Sequence, residues 1–222
     1  MNIVDVGAGK YKEYEKWLSN FPSLKIHAIE PHPDNFERLV KMRSTLQPQS
    51  LNRLHLHKVA ISNTPSKQLP FFINNDKSSG SLLPLVEKNV RRWINPVGRR
   101  FLKTINTINV EVISLSKFIE SNRISTIELL NVDVQGSSLD VLESMSMKSY
   151  HTTKQILVKA HSPGCVELYE SQCDGYDVTR CLKKRYFTLL RAHDYSFGQE
   201  QIMNFINEPM KNRGAKLNGF AE

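Results

Sequence analysis

Short apolar runs rich in β-branched residues alternate along the chain with segments of helical periodicity, beginning at residue 2. This alternation predicts an α/β fold, in which helices connect the strands of a parallel sheet. Asp34 is placed to cap the second predicted helix. The first helix is indicated by Tyr11, Tyr14, Trp17, Leu18 and Phe21. The predicted strands are 2–6, 25–29, 54–62, 68–73, 108–112, 127–133, 155–160, 187–192 and 201–206, and the further helices are 35–46, 115–122, 139–147 and 178–184.

The last two predicted strands are separated by the turn-like segment 194–198, which ends in Gly198. A short connection of this kind favours antiparallel pairing. We therefore predict a Rossmann-like, mostly parallel seven-stranded sheet with a C-terminal antiparallel hairpin. Residues 1–208 are expected to form a single domain with an irregular, basic insertion at about 74–104. Residues 209–222 are expected to be a flexible tail.

The composition is that of a globular protein, because 40% of the 222 residues are apolar and only 10 are Gly and 10 Pro. No uninterrupted apolar run approaches the roughly 18 residues of a membrane span. We therefore expect a soluble, cytoplasmic protein. Its three cysteines, Cys165, Cys173 and Cys181, are eight residues apart and contain no C-x-x-C pair. They are expected to be reduced thiols with packing or surface roles.

Polar residues and glycines stand at the ends of the first two strands, where doubly wound sheets bind their ligands. Asp5, Gly7 and Gly9 follow the first strand, and Glu30 follows the second. A dinucleotide fingerprint would need a third glycine where Lys12 stands, so NAD and FAD are disfavoured. Two glycines and an acidic second strand end suit S-adenosylmethionine, whose ribose hydroxyls need an acceptor and which has no pyrophosphate.

Several segments, in this order and spacing, resemble the FkbM family of S-adenosylmethionine-dependent methyltransferases. The four are Ile3 to Gly9, Ile29 to Leu39, the serine-rich stretch Ser78 to Pro84, and Asn131 to Leu142. The resemblance implies a class I methyltransferase fold with the methyl donor over the first two strands. Gln135 departs from the pattern, because the family's D-V-E-G is here Asp133-Val134-Gln135-Gly136. A metal-assisted mechanism is therefore not expected.

The resemblance also implies roles for particular residues. Asp133, at the end of the fourth strand of the class I sheet, faces the transferred methyl group. Glu30 binds the ribose. The remaining implied donor contacts are Asp5 near the amino group, Gly7, Ala8 and Gly9 along the methionine end, and Ala60 and Ile61 near the adenine.

Methyl transfer to a hydroxyl requires a group that takes up one proton. Asp133 and His161, at neighbouring strand ends, are the candidates for this base. The alternative role of Asp133 is only to hold the donor's amino group, and the alternative for His161 is an ordinary loop imidazole. His55 and His57 share one face of a strand, but no third metal ligand is visible nearby, so they are interpreted as packing residues.

The net charge is +8, and basic residues are grouped in two segments. This charge is compatible with an anionic acceptor. The expected reaction is O-methylation of a sugar, glycan or related small metabolite. Two alternatives remain: a nucleic-acid methyltransferase, which Trp93 and Phe101 would serve by stacking, and a non-catalytic binding protein. The basic groups are Lys88, Arg91, Arg92, Arg99, Arg100 and Lys103, and Arg180, Lys183, Lys184, Arg185 and Arg191.

Overall fold

A computed structural model describes residues 1–9, 13–64, 66–93 and 102–211 of the chain. Tyr11, Phe101, Arg99, Arg100 and most of the predicted tail, from residue 212, therefore lie outside the described residues. The strands are β1 (Asn2–Val6), β2 (Lys25–Ile29), β3 (Leu54–His57), β4 (Ala60–Ile61), β5 (Gln68–Asn74), β6 (Thr104–Ile113), β7 (Ile127–Val132), β8 (Thr153–His161), β9 (Phe187–Tyr195) and β10 (Glu200–Asn207).

Helices connect most of these strands, as the alternating pattern predicts. Within the described residues no helix has the length and apolar character needed to cross a membrane. The helices are α1 (Tyr14–Asn20), α2 (Pro33–Ser44), α3 (Pro48–Leu51), α4 (Glu87–Val90), α5 (Leu115–Ser121), α6 (Ser138–Glu143), α7 (Met147–His151), α8 (Gly175–Lys183) and α9 (Glu208–Lys211).

The main sheet has seven strands in the order β3-β2-β1-β7-β8-β10-β9. The first five strands of this order are parallel, whereas β10 pairs antiparallel with both β8 and β9. This arrangement confirms the predicted class I methyltransferase fold with its C-terminal antiparallel hairpin. Because β1 and β7 are central neighbours, their carboxyl ends lie side by side at one edge of the sheet.

A smaller sheet, in the order β4-β6-β5, lies beside this edge. The prediction of one continuous strand over 54–62 is wrong, because β3 pairs with β2 whereas β4 pairs with β6. The chain changes partners at Lys58 and Val59, between the two strands. Strand β6 also begins four residues earlier than predicted, within the expected irregular insertion, and pairs antiparallel with β5.

Successive side chains along the strands of the main sheet point alternately into two apolar cores, one on each face of the sheet. Ile3 packs with Tyr14 and Leu18 of α1. The next residue, Val4, belongs to the opposite core, which includes Phe118 of α5. Burial on both faces is typical of a parallel sheet with covering helices and explains why its strands are almost continuously apolar.

Helix α2 begins two residues earlier than predicted, and His32 rather than Asp34 is its N-cap. The Nδ1 atom of His32 accepts a hydrogen bond from the Asp34 backbone N–H at 3.2 Å. Pro33 is suited to the first helical position because its missing N–H would have no partner there. Asp34 instead extends from the first turn and forms an ion pair with Lys77.

The three cysteines are free thiols. Cys173 and Cys181 are buried in the larger apolar core, and Cys165 is partly exposed. Burial raises the pKa of Cys173 to about 11, so this thiol stays protonated at neutral pH. The buried pair therefore has the packing role that the sequence predicts.

Candidate active site

A tight bend at Gly7 joins the ends of three strands. The backbone N–H groups of Gly7 and Ala8 both donate to the carbonyl oxygen of Ile29 at 3.0 Å, and the N–H of Asp133 donates to that of Val6 at 2.9 Å. Gly7 has φ +80°, and a Cβ atom there would lie 2.1 Å from the carbonyl oxygen of Asp133. Only glycine fits this position, because it combines a left-handed backbone with a close backbone contact.

Glu30 follows β2 and faces the bend. Its side chain is held by two backbone donors: Oε2 accepts from Gly9 N–H at 2.6 Å, and Oε1 accepts from His32 N–H at 2.8 Å. The residue is only 4% exposed, and this burial raises the pKa of its carboxyl group to about 7, against the two backbone hydrogen bonds that lower it. Glu30 is thus a fixed hydrogen-bond acceptor that changes charge near neutral pH.

Asp5 and Ala8 lie behind the bend, although the sequence predicts both as donor-binding residues. The Asp5 carboxylate is 1% exposed and accepts hydrogen bonds from the Tyr14 hydroxyl and, at 2.7 Å, from the Asn131 side chain. Ala8 packs in the core with Tyr14. Neither residue lines the cavity described below, so the structure places them in support of the bend.

A cavity of about 970 Å³ opens at this edge of the main sheet. That volume is at the upper end of the roughly 300–1,000 Å³ range of ligand sites, so a donor and an acceptor fit together. The predicted residues Gly7, Gly9, Glu30, Ala60 and Ile61 line one end. We call this the donor end.

The serine-rich segment 75–82 covers the donor end and is tied down on several sides. The Tyr169 hydroxyl donates to the carbonyl oxygen of Ser79 at 2.9 Å, and the Ser81 hydroxyl donates to that of Gln135 at 2.6 Å. From α2, the Asn35 side chain donates to the carbonyl oxygen of Lys77 at 3.0 Å. These contacts fix the cover against both the second helix and the segment after β7.

On the side of the cavity formed by β7, β8 and β10, Asp133 forms an ion pair with a lysine that sequence reasoning missed. The Nζ atom of Lys159 lies 2.7 Å from Oδ1 of Asp133 and 3.6 Å from Oε1 of Glu200. All three residues line the cavity, together with Trp93 and Tyr195. We call this the acceptor end. Lys159 could have been found by following β8 to its carboxyl end, two residues before His161.

His161, the second candidate base, does not line the cavity. Its ring packs between Trp93 and Tyr169, at centroid distances of 5.3 and 5.9 Å, and the residue is 2% exposed. Burial, with the nearby charge of Lys159, lowers the pKa of His161 to about 4. The imidazole is therefore neutral at pH 7 and is screened from the cavity by two aromatic rings.

His55 and His57 lie on a different part of the main sheet, next to His27 of β2. The ring of His27 stacks on that of His55 at 4.8 Å, and its Nδ1 atom is 3.3 Å from Nε2 of His57. Burial lowers the pKa of His57 to about 4. Among the described residues no group of three or more potential ligands is arranged for a metal ion.

The two basic groups do not form one surface at the cavity. Of the described members, Arg91 lines the cavity. The second group lies on α8 and β9 or between them, outside the cavity lining, and includes Arg180, which pairs with Asp177 at 2.7 Å. The described members of these two groups therefore form no continuous basic path into the cavity.

The chain matches the methyltransferase FkbM domain family over residues 5–197. The methyltransferase sdnD of Sordaria araneosa is 26% identical over 199 residues, which cover 80% of this chain and 74% of that protein.

Solved structures similar to the chain include two methyltransferases. The first, the magnesium protoporphyrin IX methyltransferase of Synechocystis PCC 6803 with bound SAM, is 7% identical, with a TM-score of 0.47 and coverage of 92% of this chain and 69% of that chain. The second, a SAM-dependent methyltransferase of Aquifex aeolicus, is 10% identical, with a TM-score of 0.42 and coverage of 93% and 82%. Because the family match spans most of its length, the chain belongs to the FkbM family of S-adenosylmethionine-dependent methyltransferases.

Proposed function

We propose that the protein transfers the methyl group of S-adenosylmethionine to a hydroxyl of a sugar, glycan or related metabolite. One observation carries the proposal: a single cavity is lined both by a fixed carboxylate, Glu30, which follows β2 beside the glycine bend, and by a second carboxylate, Asp133, which follows β7 on the other side of β1. The proposal treats residues 1–208 as one domain, because strands of the same sheet build both ends.

The chemistry of the donor end fits S-adenosylmethionine. Glu30 accepts hydrogen bonds, which suits ribose hydroxyls, and it is already oriented by the N–H groups of Gly9 and His32. Ala60, Ile61 and the buried Phe71 give an apolar wall for an adenine ring. At Gly9 a Cβ atom would lie 3.2 Å from Glu30 Oε2, so the missing side chain leaves the carboxylate room.

When bound, S-adenosylmethionine supplies a methyl group that forms its new bond to the acceptor oxygen while the carbon–sulfur bond breaks with its electron pair on sulfur. The protein then has to align the acceptor and take up the hydroxyl proton. We assign Asp133 as the base that takes up this proton, because its side chain is 36% exposed and lines the cavity, whereas His161 is buried. Alignment alone lowers such a barrier by about 7–11 kcal/mol.

The acceptor end combines aromatic faces with a few polar groups, as ligand sites commonly do. Trp93 and Tyr195 provide the aromatic surfaces, and Ser196 adds a hydroxyl. The guanidinium of Arg91 suits a carboxylate or phosphate on the acceptor. An anionic sugar derivative therefore fits this end better than an uncharged lipid.

Donor binding is tested with S-adenosylhomocysteine, the demethylated product. At a concentration of 100 times its Kd, a ligand adds about 2.7 kcal/mol to the free energy of unfolding, so we expect a clear rise in Tm. A Tm that does not change up to millimolar product would favour the non-catalytic alternative.

Acceptor chemistry is tested by methyl transfer from radiolabelled donor to panels of hydroxyl-bearing and amine-bearing sugars. Asp133→Asn should abolish transfer to a hydroxyl while the product still binds. Asp140→Asn is the matched control, because Asp140 lies on α6 and does not line the cavity. Full turnover by Asp133→Asn would remove Asp133 as the base, and transfer to amines alone would overturn O-methylation.

A further inference from the structure

Three charged side chains from three strands of the main sheet meet at the acceptor end. Asp133 follows β7, Lys159 belongs to β8, and Glu200 begins β10. The side chain of Lys159 is 14% exposed and that of Glu200 10%, whereas that of Asp133 is 36% exposed. Lys159 therefore lies behind Asp133, between the two carboxylates.

An ammonium group in such a position needs compensating charge, since an unpaired buried charge is strongly unfavourable. Burial lowers the pKa of Lys159, but the carboxylates of Asp133 and Glu200 more than offset this effect, so that the pKa lies above its ordinary value. Lys159 thus remains charged across the physiological pH range.

The C-terminal hairpin fixes the position of Glu200. The hydroxyl of Ser196, in the turn between β9 and β10, donates a hydrogen bond to Oε2 of Glu200. The Nζ atom of Lys159 also lies 5.9 Å from the ring centroid of Tyr195, at the end of β9. The ammonium group is therefore held from the hairpin side as well as by Asp133.

Two carboxylates against one ammonium group leave one net negative charge, and the most exposed member of the cluster is Asp133. We propose that Lys159 is a positioning residue that holds Asp133 as a carboxylate directed into the cavity, and that Glu200 keeps Lys159 in place. This inference rests on the proposed function, because it gives Asp133 its charge at the reacting end of the donor.

The inference is testable without knowing the acceptor, by comparing two donor analogues. Sinefungin carries an amine where the donor carries its methylated sulfur, whereas S-adenosylhomocysteine has a neutral sulfur at that place. An ionised Asp133 favours the charged amine, so the ratio of the two Kd values reports the charge at Asp133. Calorimetric titrations from about pH 5 to about pH 8 would measure this ratio, a range in which a carboxylate of ordinary pKa is ionised.

For the unmodified protein we expect a preference for sinefungin that is constant over this range. In Lys159→Met the preference should weaken toward the acidic end, because loss of a neighbouring positive charge raises a carboxyl pKa by about 1 unit or more. Glu200→Gln keeps an amide oxygen that can accept a hydrogen bond from the ammonium group of Lys159, so its profile should stay flat. Asp133→Asn should lose the preference altogether.

Other titrating groups near Asp133 affect both analogues alike. Glu30, whose pKa is about 7, faces the ribose that the two analogues share, so its main effect is common to both Kd values, and its repulsion with Asp133 is equally present in the Lys154→Met control below. His161, with a pKa of about 4, stays neutral in this range, and burial keeps Tyr169 protonated by raising its pKa. The pH dependence of the ratio therefore reports Asp133.

Lys154→Met is the matched control. Lys154 lies on the same strand, β8, and its Nζ is 2.7 Å from Oε2 of Glu128 on β7. This pair is at the amino-terminal ends of the two strands, away from the cavity. This variant removes the same charge from the same pair of strands and should leave the ratio and its pH profile unchanged. If Lys159→Met does not fold, the double variant Lys159→Met with Glu200→Gln takes its place, because it conserves the net charge of the cluster. It should show the same weakening of the preference for sinefungin toward acidic pH.

The outcomes separate the two proposals. If neither analogue binds the unmodified protein, the proposed donor site fails. If both bind and Asp133→Asn loses the preference, but the profiles of Lys159→Met and the double variant stay flat, the positioning role of Lys159 is overturned. Loss of the preference in Lys154→Met would likewise overturn it, since a distant charge would then have the same effect.

Discussion

The two ends of the cavity are built in different ways. At the donor end, Glu30 and the bend at Gly7 are fixed almost wholly by backbone groups that lie within about one βαβ unit of each other. At the acceptor end, Asp133, Lys159 and Glu200 come from three strands and are held by one another's charge. The donor end is thus held by backbone hydrogen bonds, and the acceptor end is held by contacts between charged side chains.

This difference has consequences for what mutation can change. A substitution at the donor end alters the fold itself, because the backbone N–H and C=O groups that it displaces also pair the strands. A substitution in a side-chain cluster alters charge and shape while the strands remain in place. Variants of the donor end should therefore affect stability and donor affinity, and those of the acceptor end should leave the affinity for S-adenosylhomocysteine, whose sulfur is uncharged, intact.

Gly7→Ala should have the largest effect, because a Cβ atom there would lie 2.1 Å from the backbone oxygen of Asp133. Gly164→Ala is the matched control: Gly164 has a similar φ of +77°, but nothing lies within 4 Å of its Cβ position. The left-handed backbone costs each variant about 1–2 kcal/mol. Overpacking should cost Gly7→Ala a further 1–3 kcal/mol or so, measured by urea denaturation. Equal losses in the two variants would show that the bend tolerates a side chain.

Tyr14→Phe tests whether the buried Asp5 carboxylate supports the bend at Gly7. It removes the hydroxyl that donates to the buried Asp5 carboxylate, leaving the Asn131 amide as its partner from β7. A hydrogen bond to a charged group is worth about 1.5–3 kcal/mol, and we expect a loss of stability in that range. Tyr186→Phe, at a residue 60% exposed, should change stability little. Matching losses in both variants would argue against a supporting role for Asp5.

The raised pKa of Glu30 predicts how donor affinity depends on pH. Since its carboxyl pKa is about 7 in the ligand-free protein, an ionised acceptor for ribose hydroxyls is fully present only above that pH. The Kd of S-adenosylhomocysteine should fall by up to about tenfold for each pH unit from pH 5 toward pH 7. Calorimetry on Glu30→Gln should give weaker binding without this slope. A slope that persists in the variant would assign the titration to another group.

The same shift affects stability in the opposite direction. Without a ligand, the raised pKa of Glu30 means that the folded protein binds more protons than the unfolded chain between about pH 4.5 and about pH 7. The contribution of Glu30 to the free energy of unfolding therefore decreases as the pH rises through this window, and saturating S-adenosylhomocysteine should reduce that decrease.

Trp93→Ala should have the smallest effect on donor binding. Trp93 lines the acceptor end and packs on His161, but it lies outside the contacts that hold Glu30 and the bend. The Kd of S-adenosylhomocysteine should change by less than about twofold, which corresponds to about 0.4 kcal/mol. A tenfold loss would show that the two ends are not separable in the way proposed.

More of the residues that line the donor end than of those that line the acceptor end could be singled out from the sequence, and the reason is physical. Asp5, Gly7 and Glu30 stand within 26 consecutive residues, so their pattern is visible before the strands are paired. Lys159 and Glu200 become neighbours only through the register of β10 against β8. That register depends on the whole hairpin, which no short motif specifies.

Elsewhere the sequence predicted most strands and the longer helices, but not always their bounds or partners, and the short helices α3, α4, α7 and α9 were not predicted. The apolar run at 54–62 has the composition of one strand, yet its halves belong to different sheets. Likewise, Asp34 has a good capping side chain, but Pro33 already occupies the first turn, and His32 provides the cap. Local propensity identified most of the elements, and tertiary pairing decided their boundaries.

The contact between Gly7 and the carbonyl of Asp133 restricts how a protein of this design can acquire a new acceptor. The main chain at the tip of β7 touches the donor bend directly, so it has no freedom to shift without displacing the donor. Any new specificity must then come from side chains projecting off β8 and β10, or from the cover over the cavity. If Asp133 is the base, as proposed, its distance from the donor bend stays constant while the walls around the acceptor vary.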